Sequence, residues 1–253
     1  MALMPHWTHK DAMLEIARGF GDGIAHVNKF GANPSSAAGA EEDAWDLGGT
    51  YPWATSATIT HIRQAADDIP MRGATIRMCG LSASWVYFEQ TQTLNAADTS
   101  TLVALDTPML RICRMIVEAP VVATQNVQAV NAAATIVYAQ ITNGFNQTLM
   151  AFYTVPVGHT AYITQYYGDV TVVTGADPKS VEFNLYFADR LNDFAFALKH
   201  KKAASQNVPT ARHEFKPYLK VAQQTDIKIA THADTSSGHI HAGFDLIVVD
   251  KVD

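Results

Sequence analysis

The alternation of apolar and polar residues along the chain predicts a protein built mainly of β-strands. In Val181–Phe187 the odd positions are apolar, and in Ile240–Val248 the even positions are apolar. A period of two is the pattern of strands that bury one face. The pattern assigns these side chains to the core: Phe183, Leu185, Ile240, Phe244 and Leu246.

Segments of this kind follow one another through most of the chain. We predict strands at Thr58–Arg63, Ala74–Gly80, Trp85–Leu94, Met109–Glu118, Thr135–Ile141, Leu149–Pro156, Ala161–Tyr167, Val181–Phe187, Phe194–Lys199, Ile227–Thr231 and Ile240–Val249. No helical pattern of comparable length alternates with them, which argues against a parallel α/β sheet. The sequence therefore predicts a mainly β protein, an antiparallel β-sandwich of jelly-roll-like type.

One turn is predicted in detail. In Val155-Pro-Val-Gly158 proline fixes φ at a corner position, and glycine is common at the end of a type I turn. We expect Pro156 at the first corner, with the turn joining two adjacent antiparallel strands.

The N-terminal region has a different pattern. Thr8 can cap a short helix that carries apolar residues from Met13 to Ala17. Asn28–Gly49 is rich in glycine and small residues and is predicted to be loop. We interpret residues 1–55 as an extended arm with one helix, and residues 56–253 as the β-sandwich body. A second interpretation divides the body near residues 119–134, where the strand pattern weakens.

Three aromatic residues lie in this glycine-rich arm: Trp45, Tyr51 and Trp53. They are interpreted either as anchors that dock on a neighbouring subunit or as a local plug at the edge of the domain. The first alternative makes them candidate interface residues.

Composition narrows the class of function. Only 17% of the residues are charged and the net charge is −6, so much of the surface is poor in charge, which favours a subunit of an assembly. An ordinary monomer with few charges is the alternative. The only dense basic run is Lys199–Lys202, which argues against nucleic-acid binding. No apolar run is long enough for a membrane span. The N-terminus has no signal-peptide pattern, so we expect synthesis in a cytoplasm and free thiols at Cys79 and Cys113.

The search for catalytic chemistry finds no nucleophile elbow, phosphate-binding loop or dinucleotide fingerprint. His239 and His241 have the spacing of ligands on one strand face, and His232 and Asp245 lie nearby in sequence. A carboxylate at short spacing is missing, so we assign no metal site, cofactor or catalytic residue. A metal-dependent β-barrel enzyme, the third class of function, would require His232, His239 and His241 to converge. Trp85 and Tyr87 could offer a sugar-stacking surface, but their shared strand face favours a place in the core.

Several short sequence motifs, taken together, resemble those of structural proteins of tailed bacteriophages. They are Gly80-Leu-Ser-Ala-Ser-Trp85, Glu89-x-x-x-x-Leu94-Asn95, Leu110-Arg-Ile-Cys-Arg114 and Tyr153-Thr-Val-Pro-x-Gly158, preceded by Asn28, Gly31, Asn33 and the Trp45…Tyr51 pair. The resemblance covers most of residues 25–170.

This resemblance implies a virion component without enzymatic activity. A capsid decoration (cement) protein is the role it favours: a homotrimer on the capsid surface that bridges capsomers of the major capsid protein. The alternatives are a neck or tail component and a receptor- or glycan-binding component. Neither nucleic acid nor membrane is an expected partner.

Overall fold

The computed structural model describes residues 12–19, 21–171, 180–205, 207–234 and 238–251. These residues form a mainly antiparallel β protein with one short N-terminal helix, so the predicted fold class is confirmed. The elements are α1 (Ala12–Ala17), β1 (Ile24–Ser36), β2 (Glu41–Asp43), β3 (Ile59–Gln64), a 3-10 turn (Ile69–Met71), β4 (Thr75–Leu81), β5 (Tyr87–Thr93), β6 (Val103–Met109), β7 (Arg111–Val117), β8 (Val127–Val130), β9 (Val137–Ile141), β10 (Phe152–Thr154), β11 (His159–Thr171), β12 (Ser180–Asp189), β13 (Ala197–Ser205), β14 (Thr210–Val221), β15 (Thr225–Ala233) and β16 (Gly238–Asp250).

The first and last parts of the chain build a jelly roll. One sheet has the strand order β1-β16-β11-β14, and the other has the order β10-β15-β12-β13, with β2 also paired to β15. If β2 and β10 are counted as one interrupted strand, the jelly roll has eight strands, which in chain order are β1, β2/β10, β11, β12, β13, β14, β15 and β16. Numbered 1 to 8 in this way, the strands of the two sheets have the orders 1-8-3-6 and 2-7-4-5. That order is the double Greek key of jelly-roll proteins.

A second sandwich is inserted into the jelly roll between β2 and β10. Its two sheets have the orders β6-β3-β8-β9 and β5-β4-β7. The chain leaves and re-enters the jelly roll along the same strand, because Asp43 lies opposite Ala230 and Phe152 lies opposite Lys228. The two ends of the insertion therefore lie side by side, which lets an extra domain fit without breaking the host sheet.

Each sandwich has its own hydrophobic core. The five side chains that the alternation assigns to the core all lie in the jelly roll, and all are fully buried. That prediction is confirmed. Phe183 also explains a glycine on the facing sheet: a Cβ at Gly168 would come within 2.2 Å of the Phe183 ring. The aromatic core thus requires the absence of a side chain at residue 168.

The prediction that Asn28–Gly49 is a loop is wrong. Residues Ile24–Ser36 form β1, which pairs with β16 from Ile24 to Ser36, and Glu41–Asp43 form β2. Because β1 contains glycine and proline and lacks a regular alternation, only its long-range partner reveals it as a strand. The segment is thus part of the jelly roll. Residues 119–134 lie within the inserted sandwich, where β8 is paired to β3 and β9.

The predicted turn at Val155–Gly158 exists but is placed differently in detail. The His159 amide donates to the Pro156 carbonyl, so Pro156 is the first residue of the turn and Gly158, with φ of 78°, occupies a corner. The strands before and after the turn, β10 and β11, belong to different sheets. The expectation that the turn joins two adjacent strands is therefore wrong: it carries the chain across the jelly roll.

Candidate binding cleft between the two sandwiches

A cleft of about 630 Å³ lies where the two sandwiches meet. Its walls are the start of β1 on the jelly roll and the sheet β5-β4-β7 on the inserted sandwich, with Tyr153, Pro156 and the end of β16 at one side. This volume is in the range of small-molecule sites in proteins. The cleft is therefore the candidate functional site.

Two cationic side chains link its walls. Lys29 on β1 donates from Nζ to the Cys113 carbonyl on β7. Arg114 on β7 donates in return from Nη2 to the Asn28 carbonyl, at 2.8 Å. Each bond uses only one of several donors on the side chain, so both groups retain capacity for a further acceptor.

The environment of Lys29 is unusual for an ammonium group. Its side chain is only 3% exposed, and burial lowers its pKa to about 8, with the Arg114 charge contributing in the same direction. Burial also raises the pKa of the thiols of Cys113 and Cys79, so these groups are neutral at pH 7. Both cysteines are buried and free, which confirms the sequence-based expectation.

The acidic groups of the cleft already have partners. Glu89 accepts from the Tyr87 hydroxyl and lies 3.3 Å from Arg77. The Tyr87 hydrogen bond, followed by Arg77, lowers the pKa of Glu89. Asp250 lies 3.1 Å from His159. The negative charges are therefore engaged away from Lys29 and Arg114.

A buried ion pair holds the two sandwiches together next to the cleft. Arg111 on β7 forms a bidentate pair with Asp226 on β15, at 3.0 Å and 2.9 Å. Asp226 is fully buried and also accepts from Arg190 at 2.6 Å and from the Thr154 hydroxyl. Because its two oxygens are shared by two guanidinium groups and a hydroxyl, the carboxylate is well compensated despite its burial.

The predicted interface residues lie at the boundary between the jelly roll and the inserted sandwich. Trp45 and Tyr51 are 4% and 3% exposed and pack edge to face at 5.0 Å, while Trp53 is half-buried and packs on Tyr51 at 4.9 Å. Phe152, at the start of β10, contacts all three rings. This packing is that of a local plug between the sandwiches. Docking of these residues on a neighbour stays a prediction, and only Trp53 keeps appreciable accessible surface for it.

The candidate histidine ligands do not converge. The rings of His239 and His241 on β16 are tilted by 34° with their centres 4.8 Å apart. His232 lies on β15 in the other sheet, where its nearest acidic partner is Glu182 at 4.0 Å. Across the described ranges of the chain, no group of three or more histidine, cysteine or acidic side chains is placed to hold a metal ion.

The placement of two aromatic residues differs from the prediction. Trp85 has a φ of 64° in the turn before β5, and Tyr87 is 43% exposed. The expectation that both serve the core is wrong, because the turn moves Trp85 off the strand and the Tyr87 face of β5 borders the cleft. Trp85 instead lies under the Arg111 guanidinium, at 5.2 Å from its ring centre.

Lys29, Arg114, Arg111 and Asp226 were not identified from the sequence. The one available signal was the placement of charged residues inside otherwise apolar strands, as in Leu110-Arg-Ile-Cys-Arg114 and Thr225-Asp-Ile-Lys-Ile229. Charges are rarely buried without a partner, so such positions could have suggested buried ion pairs. Sequence alone could not show which residues were partners.

No protein-family model matches the chain, and no curated protein is significantly similar to it. In the part of the chain that the structure describes, no helix is both long and apolar enough to cross a membrane. The class of protein must therefore be argued from the fold and the chemistry of its surfaces.

Proposed function

We propose that the protein is a non-enzymatic structural component of a bacteriophage virion, and specifically a homotrimeric capsid decoration protein. The observation that carries the proposal is the jelly roll itself, with strand order 1-8-3-6 and 2-7-4-5. Jelly rolls are common in viral capsid proteins, although they also occur in lectins and cupins. The fold therefore supports the proposal by analogy, together with the resemblance of the sequence to tailed-phage proteins.

Three exposed apolar side chains, close together along the chain at one connection, support self-association. Leu191, Phe194 and Leu198 lie around the connection from β12 to β13 and are 60%, 61% and 50% exposed. We call this set the β12–β13 corner. Apolar side chains grouped on a surface mark sites of association more often than isolated ones do. In the proposed trimer, the β12–β13 corner packs against a second copy of the chain.

The position of the aromatic plug changes how attachment is proposed to work. Trp45 and Tyr51 are buried within the chain, so they give a partner little surface. The contact with the major capsid protein is therefore proposed to involve the exterior of the assembled trimer, with Trp53 as the one candidate residue of the plug that is half-exposed.

The oligomer is tested by sedimentation velocity of the purified protein. We expect a trimer, and we expect the double variant L191D/F194D to sediment as a folded monomer because charges would be buried in the interface. Val122→Asp is the control, since Val122 is 56% exposed on the inserted sandwich. A monomeric intact protein, or a trimer that survives the double variant, would contradict the proposed interface.

The place in the virion is tested by copy number per particle, measured by quantitative electrophoresis of purified virions that carry the protein. A decoration protein is present in hundreds of copies, on the order of the number of capsomer contacts. A count of about a dozen or fewer would instead assign the protein to the neck or tail. Absence from the particle would overturn the virion role altogether.

A receptor- or glycan-binding role is the second candidate. It is favoured by the exposed ring of Tyr87 at the mouth of the cleft, beside Glu89. Aromatic faces with a neighbouring hydrogen-bonding group suit sugar rings. Binding to a glycan array that is lost in Tyr87→Ala would support this role over decoration.

A further inference from the structure

We propose that the cleft between the two sandwiches binds a small organic anion, a carboxylate or phosphate attached to an apolar body, through Lys29 and Arg114. The inference rests on the cleft alone and does not depend on the virion role.

The charges of the cleft leave two cations without an acidic partner. Lys29 and Arg114 each donate to one backbone carbonyl. Among the residues that the structure describes, neither forms an ion pair with a carboxylate. Their mutual repulsion is evident in the pKa of Lys29, which Arg114 lowers in addition to the effect of burial. Buried charges are normally paired; Lys29 is buried and Arg114 half-buried, so an anion in this position would compensate both groups at once.

The neighbouring acids do not supply that compensation. Glu89 is held by Tyr87 and Arg77, while Asp250 is largely exposed and lies beside His159. The remaining groups near Lys29 are the thiols of Cys113 and Cys79, whose pKa values are raised by burial. The part of the cleft around Lys29 and Arg114 is therefore positively charged at neutral pH, and neither acidic side chain forms an ion pair with these two cations.

The rest of the lining defines the body of the ligand. Ile24, Val27, Ile116, Tyr153, Pro156 and Val248 contribute apolar surface to the same cleft. A volume of about 630 Å³ is larger than a lone inorganic anion needs. The matching ligand thus has an anionic head at Lys29 and Arg114 and an apolar chain or ring along this lining.

The protonation state of Lys29 provides a second measurable sign of binding, the uptake of protons. With a pKa of about 8, part of the Lys29 population is neutral at pH 8.5 in the free protein. An anion beside the amine favours its charged form, so binding at this pH should take up protons. The groups whose charge acts on Lys29 are Arg114 and the two thiols of Cys113 and Cys79.

The experiment is isothermal titration calorimetry with octanoate and octyl phosphate as anionic probes. Octanol is the uncharged control, and acetate and inorganic phosphate are the controls without an apolar body. We expect saturable binding of at least one octyl anion, and binding at least about tenfold weaker for octanol and for the short anions. If octanoate alone binds, the site takes carboxylates. If octyl phosphate alone binds, it takes phosphates.

Two variants test the residues. Lys29→Met and Arg114→Met should each weaken binding about tenfold or more, because each removes a charge-assisted hydrogen bond to the head group. Lys220→Met is the matched control, since Lys220 is exposed on β14, at the opposite edge of the sheet from β1. Circular dichroism of each variant checks that the fold is retained.

Proton uptake separates binding at Lys29 from binding elsewhere. At pH 8.5 the observed heat should differ between two amine buffers of different ionisation enthalpy, and the difference should disappear in Lys29→Met. The proposal is overturned if neither octyl anion gives saturable heat up to its solubility, or if binding is unchanged in both the Lys29 and Arg114 variants. Equal binding of octanol would show an apolar site without anion recognition, which also contradicts it.

Discussion

The two sandwiches of this chain are stabilised by different kinds of core. The largest fully buried side chains of the jelly roll are the aromatic residues Tyr166, Phe183 and Phe244, which demand close fits such as the one at Gly168. Those of the inserted sandwich are aliphatic or methionine, including Met71, Met78, Met109 and Met115. Methionine is flexible and fills irregular spaces. The inserted core is thus built from adaptable side chains, and its aromatic part lies at the boundary.

That boundary makes the inserted sandwich dependent on the jelly roll. Trp45 and Phe152 belong to the segments that lead out of and back into the jelly roll, yet both are members of the inserted core. The Arg111–Asp226 pair crosses the same boundary. The comparison therefore predicts that the two sandwiches, although each has its own core, unfold as one cooperative unit.

The largest expected effect is that of removing residues 1–55. The truncated chain loses β1, β2 and the Trp45–Tyr51 plug, and with them an edge of the jelly roll and part of the inserted core. We expect it to be unfolded, because total stabilities are only about 5–15 kcal/mol. Loss of the cooperative thermal transition, followed by circular dichroism, is the measurement. A folded truncated body would restore the division into an arm and an independent body that the sequence suggests.

Breaking the ion pair at the boundary should have the next largest effect. Arg111→Met leaves the fully buried Asp226 with Arg190 and Thr154 as partners, and we expect a loss of about 3–5 kcal/mol in the free energy of unfolding. Urea denaturation measures it. The exposed pair of Arg77 and Glu89 provides the control, since Arg77→Met should cost less than about 1 kcal/mol. Similar losses for both variants would mean that Arg111 does not couple the sandwiches.

The buried Lys29 should make stability depend on pH in the alkaline range. Its pKa is about 8 in the folded protein and 10.5 in the unfolded chain, so between these values the unfolded state binds more protons. Stability therefore rises with pH across this window, by up to about 3 kcal/mol from this group. Urea denaturation from pH 7 to pH 10 should show this rise in the wild type relative to Lys29→Met. If the free energy of unfolding changed with pH in the same way in both proteins, the lowered pKa of Lys29 would be contradicted.

The smallest effect is expected at the turn that crosses the jelly roll. Gly158 has a positive φ and open space around its Cα, so Gly158→Val is destabilising through backbone conformation alone. We expect a cost on the order of 1 kcal/mol, measured as a shift in the urea midpoint. Pro156→Ala at the start of the turn should cost less. A neutral Gly158→Val would show that the turn relaxes to another conformation.

Much of the fold could be predicted because strand patterns are local. The alternation in Val181–Phe187 and Ile240–Val248 fixed which faces are buried, since neighbouring side chains on a strand point to opposite sides of the sheet. Two strands without a clear alternation, β1 and β6 (Val103–Met109), escaped prediction because their side chains are irregularly buried. The strand β14 (Thr210–Val221) was also missed, although its odd positions Ala211, Phe215, Leu219 and Val221 are apolar and form or border the jelly-roll core.

The sequence by itself determined the β class, the jelly-roll core residues and the presence of a turn near Gly158, because each depends on residues close together in the chain; that this turn crosses between the sheets was decided by the tertiary structure. The tertiary structure decided the strand order, the insertion of one sandwich into the other and the composition of the cleft. Lys29 meets Cys113 across 84 positions, and Arg111 meets Asp226 across 115. No local pattern encodes such pairings, because they arise only when non-adjacent strands are brought together by the packing of both cores.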